Sequence, residues 1–186
     1  MKRTFIYIRC TILTIIRMNI ETERLTLTEF TNDDASFFYD LANDPGFIKY
    51  IGDRNIRTIL DAKKYISDKI TPSFSLHNFG FYIVRLKEDN SPLGMCGLIK
   101  RDWMDYVEIG YAFLAQFTGK GYAIESSVAI KKHAKEKLNI PRLAAITDIK
   151  NEKSGKLLNR LEFEFDRLIS YPGENKMCKL YLEKKV

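Results

Sequence analysis

The chain has 186 residues, 45% of them hydrophobic, and a formal net charge of +6, which suits one domain with a sizeable core and leaves little room for a second. Lys2, Arg3, Arg9 and Arg17 supply +4 with no acid among residues 1–17, so residues 18–186 carry only +2. That charge is too mild and too dispersed for a nucleic-acid-binding surface. Cys10, Cys96 and Cys178 are an odd number without metal-ligand spacing; they read as reduced thiols of a cytoplasmic protein, and no metal site is expected.

Residues 1–17 contain two apolar runs split by Arg9, with no small-x-small cleavage site after them. They are too short and too charged to span a bilayer, so no membrane partner is expected. Two readings stand: an extra N-terminal strand or helix, or translated upstream sequence ahead of a start at Met18.

Residues 23–30 alternate Leu25 and Leu27 with Thr26 and Thr28, the period of a half-buried strand. Asn32-Asp33-Asp34 offers cap chemistry for a helix bearing Phe37, Phe38 and Leu41, which Pro45-Gly46 is expected to stop. Thr58 with Asp61 resembles a capping box, and Ala62, Tyr65, Ile66 and Ile70 continue at helical spacing until Pro72. Residues 80–86, 93–99 and 106–114 read as three successive strands, the first two joined by a polar turn. Gly110 inside the third predicts a bulge that splays it from its neighbour.

Residues 121–138 form an amphipathic helix with Ile124, Val128, Ala134 and Leu138, ending at Asn139 ahead of Pro141. A strand over 142–149 completes a right-handed β-α-β unit. A helix over 151–161 and two strands over 163–170 and 177–182 close the chain across Pro172-Gly173. The order β-α-α-β-β-β-α-β-α-β-β implies a mixed sheet with helices on both faces, hence α/β or α+β.

Where the third of the middle strands meets the long helix stands Gln116-Phe117-Thr118-Gly119-Lys120-Gly121-Tyr122-Ala123-Ile124-Glu125. The first amides of a helix lack intrahelical partners and carry the positive end of its dipole, so a phosphate can accept several N–H bonds there. Gly119 and Gly121 let the backbone turn sharply and approach a ligand. A P-loop is excluded, because neither Gly119-Lys120 nor Gly155-Lys156 has the earlier glycine or the following Ser/Thr. The dinucleotide fingerprint fails at Ile124, where a small residue is needed.

The remaining Q-x-x-G-x-G pattern, with Glu108-Ile109-Gly110-Tyr111 before it and Asn151-Glu152-Lys153-Ser154 after it, resembles the GNAT superfamily of N-acetyltransferases over residues 18–186, and within it the ribosomal-protein N-acetyltransferase-like branch. Residues 18–25 look like the start of such proteins, which favours Met18 as the start and 18–186 as a single catalytic domain. The resemblance implies the acyl-CoA N-acyltransferase (GNAT) fold, acetyl-CoA as donor and a primary amine as acceptor. The acceptor is either a protein N-terminal α-amine or a small molecule such as a polyamine or an antibiotic, and the protein is a monomer or a homodimer.

Carried over residue by residue, Gln116 and the amides of Phe117, Thr118, Gly119, Lys120, Gly121, Tyr122 and Ala123 hold the pyrophosphate. A backbone N–H from Tyr111, Ala112 or Phe113 faces the oxyanion where the strands splay around the pantetheine arm. Asn151 meets that arm, Ser154 lies near the thioester sulfur as proton donor to the thiolate, and Lys156 reaches the 3′-phosphate. Glu108, on the strand that leads into the cradle, is the candidate base, acting through water. Each has a plainer alternative: Asn151 and Ser154 as helix caps, Glu108 as a carboxylate paired with a lysine, Lys156 as a solvated side chain.

Two positions depart from the family, which often carries a tyrosine where Leu158 stands and a glycine where Glu162 stands. The first keeps a second class of function open, a catalytically silent acyl-CoA-binding regulatory module on the same fold. His133 is expected solvated on the lysine-rich helix face and His77 in a variable loop. Trp103, Tyr106 and residues 44–57 are expected to line the acceptor side.

Overall fold

A computed structural model describes residues 19–173 and 176–185; the readings of residues 1–17, Cys10 and the Met18 start lie outside the described residues. A two-residue strand, β1 (Ile20–Glu21), precedes β2 (Leu25–Glu29) and pairs antiparallel with it. In β2, Leu25 and Leu27 are buried while Thr26 and Thr28 lie between core and solvent, as their alternation predicts. A capping box between Thr31 and Asp34 opens the turn that leads into α1 (Ala35–Ala42).

Two prolines act differently from expectation. The helix α1 ends at Ala42, and Pro45 opens the next one, α2 (Pro45–Tyr50), capped by the Asp44 carboxylate on Gly46 N at 2.8 Å. Pro72 likewise restarts a helix. The helix α3 (Ile59–Tyr65) widens into a π-turn over Ile66–Ile70, then continues as α4 (Pro72–His77). Thr71 N donates back five residues to Ile66 O at 3.0 Å. At the first position of a helical segment, proline's missing N–H costs nothing.

The sheet comprises β2, β3 (Phe81–Leu86), β4 (Pro92–Ile99), β5 (Val107–Phe113), β6 (Leu143–Asp148), β7 (Phe163–Ser170) and β8 (Met177–Glu183), with β1 at one edge. Among the described residues its strands run in the order β1-β2-β3-β4-β5-β6-β8-β7. Only β5 and β6 pair in parallel among the described residues, bridged by the crossover helix α5 (Tyr122–Glu136). The last helix, α6 (Glu152–Arg160), follows β6. One face of the sheet packs on α5 and α6 through Val84, Ile130, Ala134 and Leu158. The other packs on α1, α2, α3 and the π-turn through Phe38, Leu41, Phe47, Ala62, Ile66, Ile83 and Met95.

The parallel pairing is brief: Val107 faces Leu143 and Glu108 faces Ala144, and no further pair follows. The strands therefore part beyond Glu108, as expected. The cause is not a bulge at Gly110, for β4 and β5 stay in unbroken register from Gly94↔Phe113 to Ile99↔Glu108. Register shifts lie instead at Val84/Arg85 and Phe165/Arg167.

Candidate active site

The parting of β5 and β6 opens a cavity of about 930 Å³, which reaches from the N-terminus of α5, between the strands, to α2 and the β7–β8 hairpin. Leu114 N donates to Leu93 O at 3.1 Å in the register of the β4–β5 ladder. By the alternation of an antiparallel ladder, the amides of Gly110 and Ala112 also face β4, whereas those of Tyr111 and Phe113 face the side that β6 has left. Ala112 is therefore corrected: its N–H belongs to the ladder, and two donors remain rather than three.

The loop into α5 makes an amide nest. Gly119 and Gly121 have φ of 78° and 87°, a conformation that would cost a residue with a Cβ roughly 1–2 kcal/mol. Phe117 N and Thr118 N close turns onto Leu114 O and Ala115 O, so those two amides are occupied. Among the described residues no protein acceptor takes the amides of residues 119–124. The open set thus begins two residues later than the expected one and runs one residue further, to Ile124. Gln116, in the 3-10 turn Ala115–Phe117, and Lys120, whose ammonium lies 5.5 Å from the Phe117 ring, do not line the cavity.

Behind the nest, Glu125 in the first turn of α5 is clamped to the start of β2. Its carboxylate accepts from Thr22 Oγ1 at 2.6 Å, Arg24 N at 2.9 Å and Arg24 Nε at 2.7 Å. Arg24 also donates to Lys120 O at 3.2 Å and lies over the Tyr122 ring at 4.7 Å. Burial works against ionisation of Glu125, but these hydrogen bonds and the Arg24 charge hold its carboxyl below the ordinary value.

At the other end of β5, Glu108 is 6% exposed and lines the cavity. Its partner is Arg101, Nε to Oε2 at 2.7 Å, and not a lysine. Burial pushes the Glu108 carboxyl up, and outweighs the opposing pull of the Arg101 charge and hydrogen bond. Arg101 lies 5.7 Å from the Tyr171 ring centroid, and both line the cavity. Between the two ends, Tyr111 Oη and Ser154 Oγ stand 2.8 Å apart, both facing the cavity. Burial pushes the Tyr111 phenol well up, so it stays protonated.

A family model described as an acetyltransferase (GNAT) domain matches residues 24–164. The chain belongs to the GNAT acetyltransferase family. The uncharacterized N-acetyltransferase p20 of Bacillus licheniformis is 30% identical over 149 residues, 80% of this chain and 83% of that one. An acetyltransferase of Agrobacterium tumefaciens superposes with a TM-score of 0.76 at 21% identity, covering 99% of this chain and 100% of that one. RimL, a ribosomal L7/L12 alpha-N-protein acetyltransferase crystallised with coenzyme A, gives a TM-score of 0.78 at 15% identity, covering 89% and 97%. The two structural matches show the fold.

As a GNAT acyltransferase, the protein places its remaining candidate residues unevenly. Asn151 caps α6, its Oδ1 accepting from Ser154 N at 3.1 Å, and still lines the cavity, so the capping and site readings are both open to it. Lys156 is exposed on the cavity rim. Leu158, at the family's tyrosine position, is buried against the cavity. Glu162, at the glycine position, adopts φ 66° and keeps its N–H on Asn159 O at 3.1 Å.

On the acceptor side, Phe47, Tyr50, Ile51 and Arg54 line the cavity, whereas Arg57 turns away to pair with Asp53 at 2.5 Å. Trp103 and Tyr106 do not line it. Trp103 packs edge-on against Tyr171 at 5.6 Å and Tyr106 lies under Arg142. His133 corrects the sequence reading: it is 7% exposed, edge-on to Tyr82 at 6.3 Å, and its Nε2 has no hydrogen-bond partner among the described residues. His77 stacks on Phe79 at 5.6 Å, outside the cavity. Arg101, Tyr171 and Arg24 are site residues that the sequence reading missed. Only Arg24 carried a signal, lying in the stretch that looks like the start of the family.

Proposed function

We propose that this acetyltransferase moves the acetyl group of acetyl-CoA directly to a primary amine, a protein α-amine or a small-molecule amine, in the cytoplasm. The observation that carries this is the run of open amides at residues 119–124 on the same cavity as the buried Glu108. A pyrophosphate suits that run, since each bond to a charged acceptor contributes roughly 1.5–3 kcal/mol and the α5 dipole adds to it. Asn151 and Lys156 would hold the pantetheine arm and the 3′-phosphate.

Glu108 takes the proton of the incoming ammonium, directly or through one water; its raised value makes the carboxylate a better base than an exposed glutamate. The Tyr111 and Phe113 amides, turned from the β4 ladder, donate to the carbonyl oxygen as charge develops there. With Tyr111 Oη as the donor in its 2.8 Å hydrogen bond to Ser154 Oγ, the serine proton is left for the departing sulfur. The phenol missing at Leu158 is thus replaced by one from β5. No covalent enzyme intermediate is needed.

Calorimetric titration with acetyl-CoA tests the donor site, beside a Gly121→Glu variant checked for folding by its thermal melt. Binding near the micromolar range, roughly −8 kcal/mol, that the variant loses supports the assignment. Thiol release on addition of amines then tests transfer. Binding without release for any amine would favour the silent regulatory module, the reading that Leu158 keeps open.

A further inference from the structure

The charges that line the cavity divide into those already matched and those left over. Among the described residues three carboxylates line it, and each is engaged. Asp44 accepts from Gly46 N at 2.8 Å and Ala115 N at 3.0 Å. Asp148 accepts from Lys150 N at 2.8 Å and pairs with Lys176 Nζ at 3.1 Å. Glu108 holds Arg101. Among the lining cations, Lys153, Lys156 and Arg160 belong to α6, on the donor side. Arg54 and Lys69 form no ion pair among the described residues; Arg54 Nη2 donates only to Ile51 O, at 3.2 Å.

Arg54 and Lys69 stand at the end where the amine must enter. Lys69, in the π-turn, is one turn beyond Tyr65, and both line the cavity with Arg101. Arg54 follows α2, four residues past Tyr50, whose carbonyl accepts from Lys176 Nζ at 3.1 Å. Glu108, at the start of β5, is roughly 20 Å of extended strand from the nest that follows its end. Among the described residues, the acceptor end therefore presents two cations without a counter-charge and no carboxylate that is not already engaged.

Building on the acetyl-CoA reading, we infer that the acceptor is an amine bearing an anionic group near its reactive nitrogen, and not a polycation. A second ammonium, as in a polyamine, meets like charge at Arg54 and Lys69 and finds no open carboxylate among the described residues. A carboxylate or phosphate meets both cations, and the Arg54 guanidinium can take it in a bidentate pair. The shared chemistry is the anion; its source is either the acidic residues behind a peptide N-terminus or the acid group of a small amino acid.

The test is acetyl-CoA-dependent thiol release with acceptors matched at the amine: the peptides Ser-Asp-Glu, Ser-Asn-Gln and Ser-Lys-Lys, and β-alanine beside its amide and spermidine. An acidic acceptor should exceed its neutral isostere about tenfold in kcat/KM, with the difference in KM, and the cationic one should be slowest. The peptide and small-molecule arms separate the two sources. The double variant Arg54→Glu, Lys69→Glu should reverse the order with acetyl-CoA affinity unchanged, and the milder Arg54→Gln should reduce the preference without reversing it. Turnover indifferent to charge, or fastest with the cationic acceptor, overturns the inference and leaves the acetyltransferase reading standing. Thiol release with none of them, while acetyl-CoA binds, overturns amine transfer and this inference with it.

Discussion

Arg101→Met removes the charged partner of the proposed base and so tests how Glu108 is tuned. The pair is partly shielded from water, its side chains 28% and 7% exposed, with Nε and Oε2 2.7 Å apart. Burial already pushes the Glu108 carboxyl up, and Arg101 is what opposes that push. A hydrogen bond to a charged group contributes roughly 1.5–3 kcal/mol, and 1.36 kcal/mol corresponds to one pH unit, so the acid limb of kcat/KM should move up by about 1–2 pH units. At high pH the variant should recover most of its rate, whereas Glu108→Gln should abolish the limb and stay slow. Arg101→Lys keeps the charge but loses the guanidinium geometry and should fall between.

Stability gives an independent reading of the same perturbation. A carboxyl with a raised folded value stabilises the fold at low pH and loses that contribution as pH rises through the folded value. Removing Arg101 raises that value further, so thermal melts of Arg101→Met should fall at higher pH than those of the parent. A kcat/KM profile that does not move in Arg101→Met, or a limb that persists in Glu108→Gln, would refute Glu108 as the base. A limb that moves down would contradict the electrostatic argument itself.

Two further outcomes follow from buried or clamped charges. Arg24→Met leaves the Glu125 carboxylate beside the amide nest without its counter-charge, and acetyl-CoA affinity should weaken about three- to tenfold, modest because Arg24 is 43% exposed. Adding Glu125→Gln should restore most of it; an undiminished loss in the double variant means that Arg24 acts by packing over the Tyr122 ring. His133 is held below its ordinary 6.5, first by burial and then by Lys137. The unfolded chain therefore takes up the proton first, and stability present above about pH 6.5 is lost as pH falls. His133→Phe should flatten the melting temperature between about pH 7 and pH 5, and a parent melt that is already flat over that range rules the effect out.

What the sequence made legible was local. The nest could be read because left-handed glycines and a helix start lie within ten residues, and the order of elements could be read because each is amphipathic with its own period. Pro45 and Pro72 misled because proline ends a helix and begins one by the same missing N–H, and only the neighbouring turn decides which. His133 misled because lysines on both sides mark a solvated face by composition, although one helical position inward belongs to the core. Gly110 pointed to the correct parting of strands for the wrong reason, since β5 keeps its ladder with β4 and it is β6 that diverges.

The polar pairs of the site were not legible, and their sequence separations show why. Arg101 and Glu108 meet across a turn seven residues apart, and Tyr111 meets Ser154 across forty-three. In both, the acidic or hydroxyl member stood out while its partner looked like an ordinary loop arginine or strand tyrosine. The second pair bears on the family comparison, because a hydroxyl absent from Leu158 on α6 reads as a lost function only while each helix position is taken alone. Brought against Ser154 from the parting strand, the Tyr111 phenol reaches the same cavity, and burial keeps it protonated. A proton donor is thus defined by the cavity it faces rather than by the element it comes from, so a substitution at one wall has to be weighed with the side chains on the opposite wall.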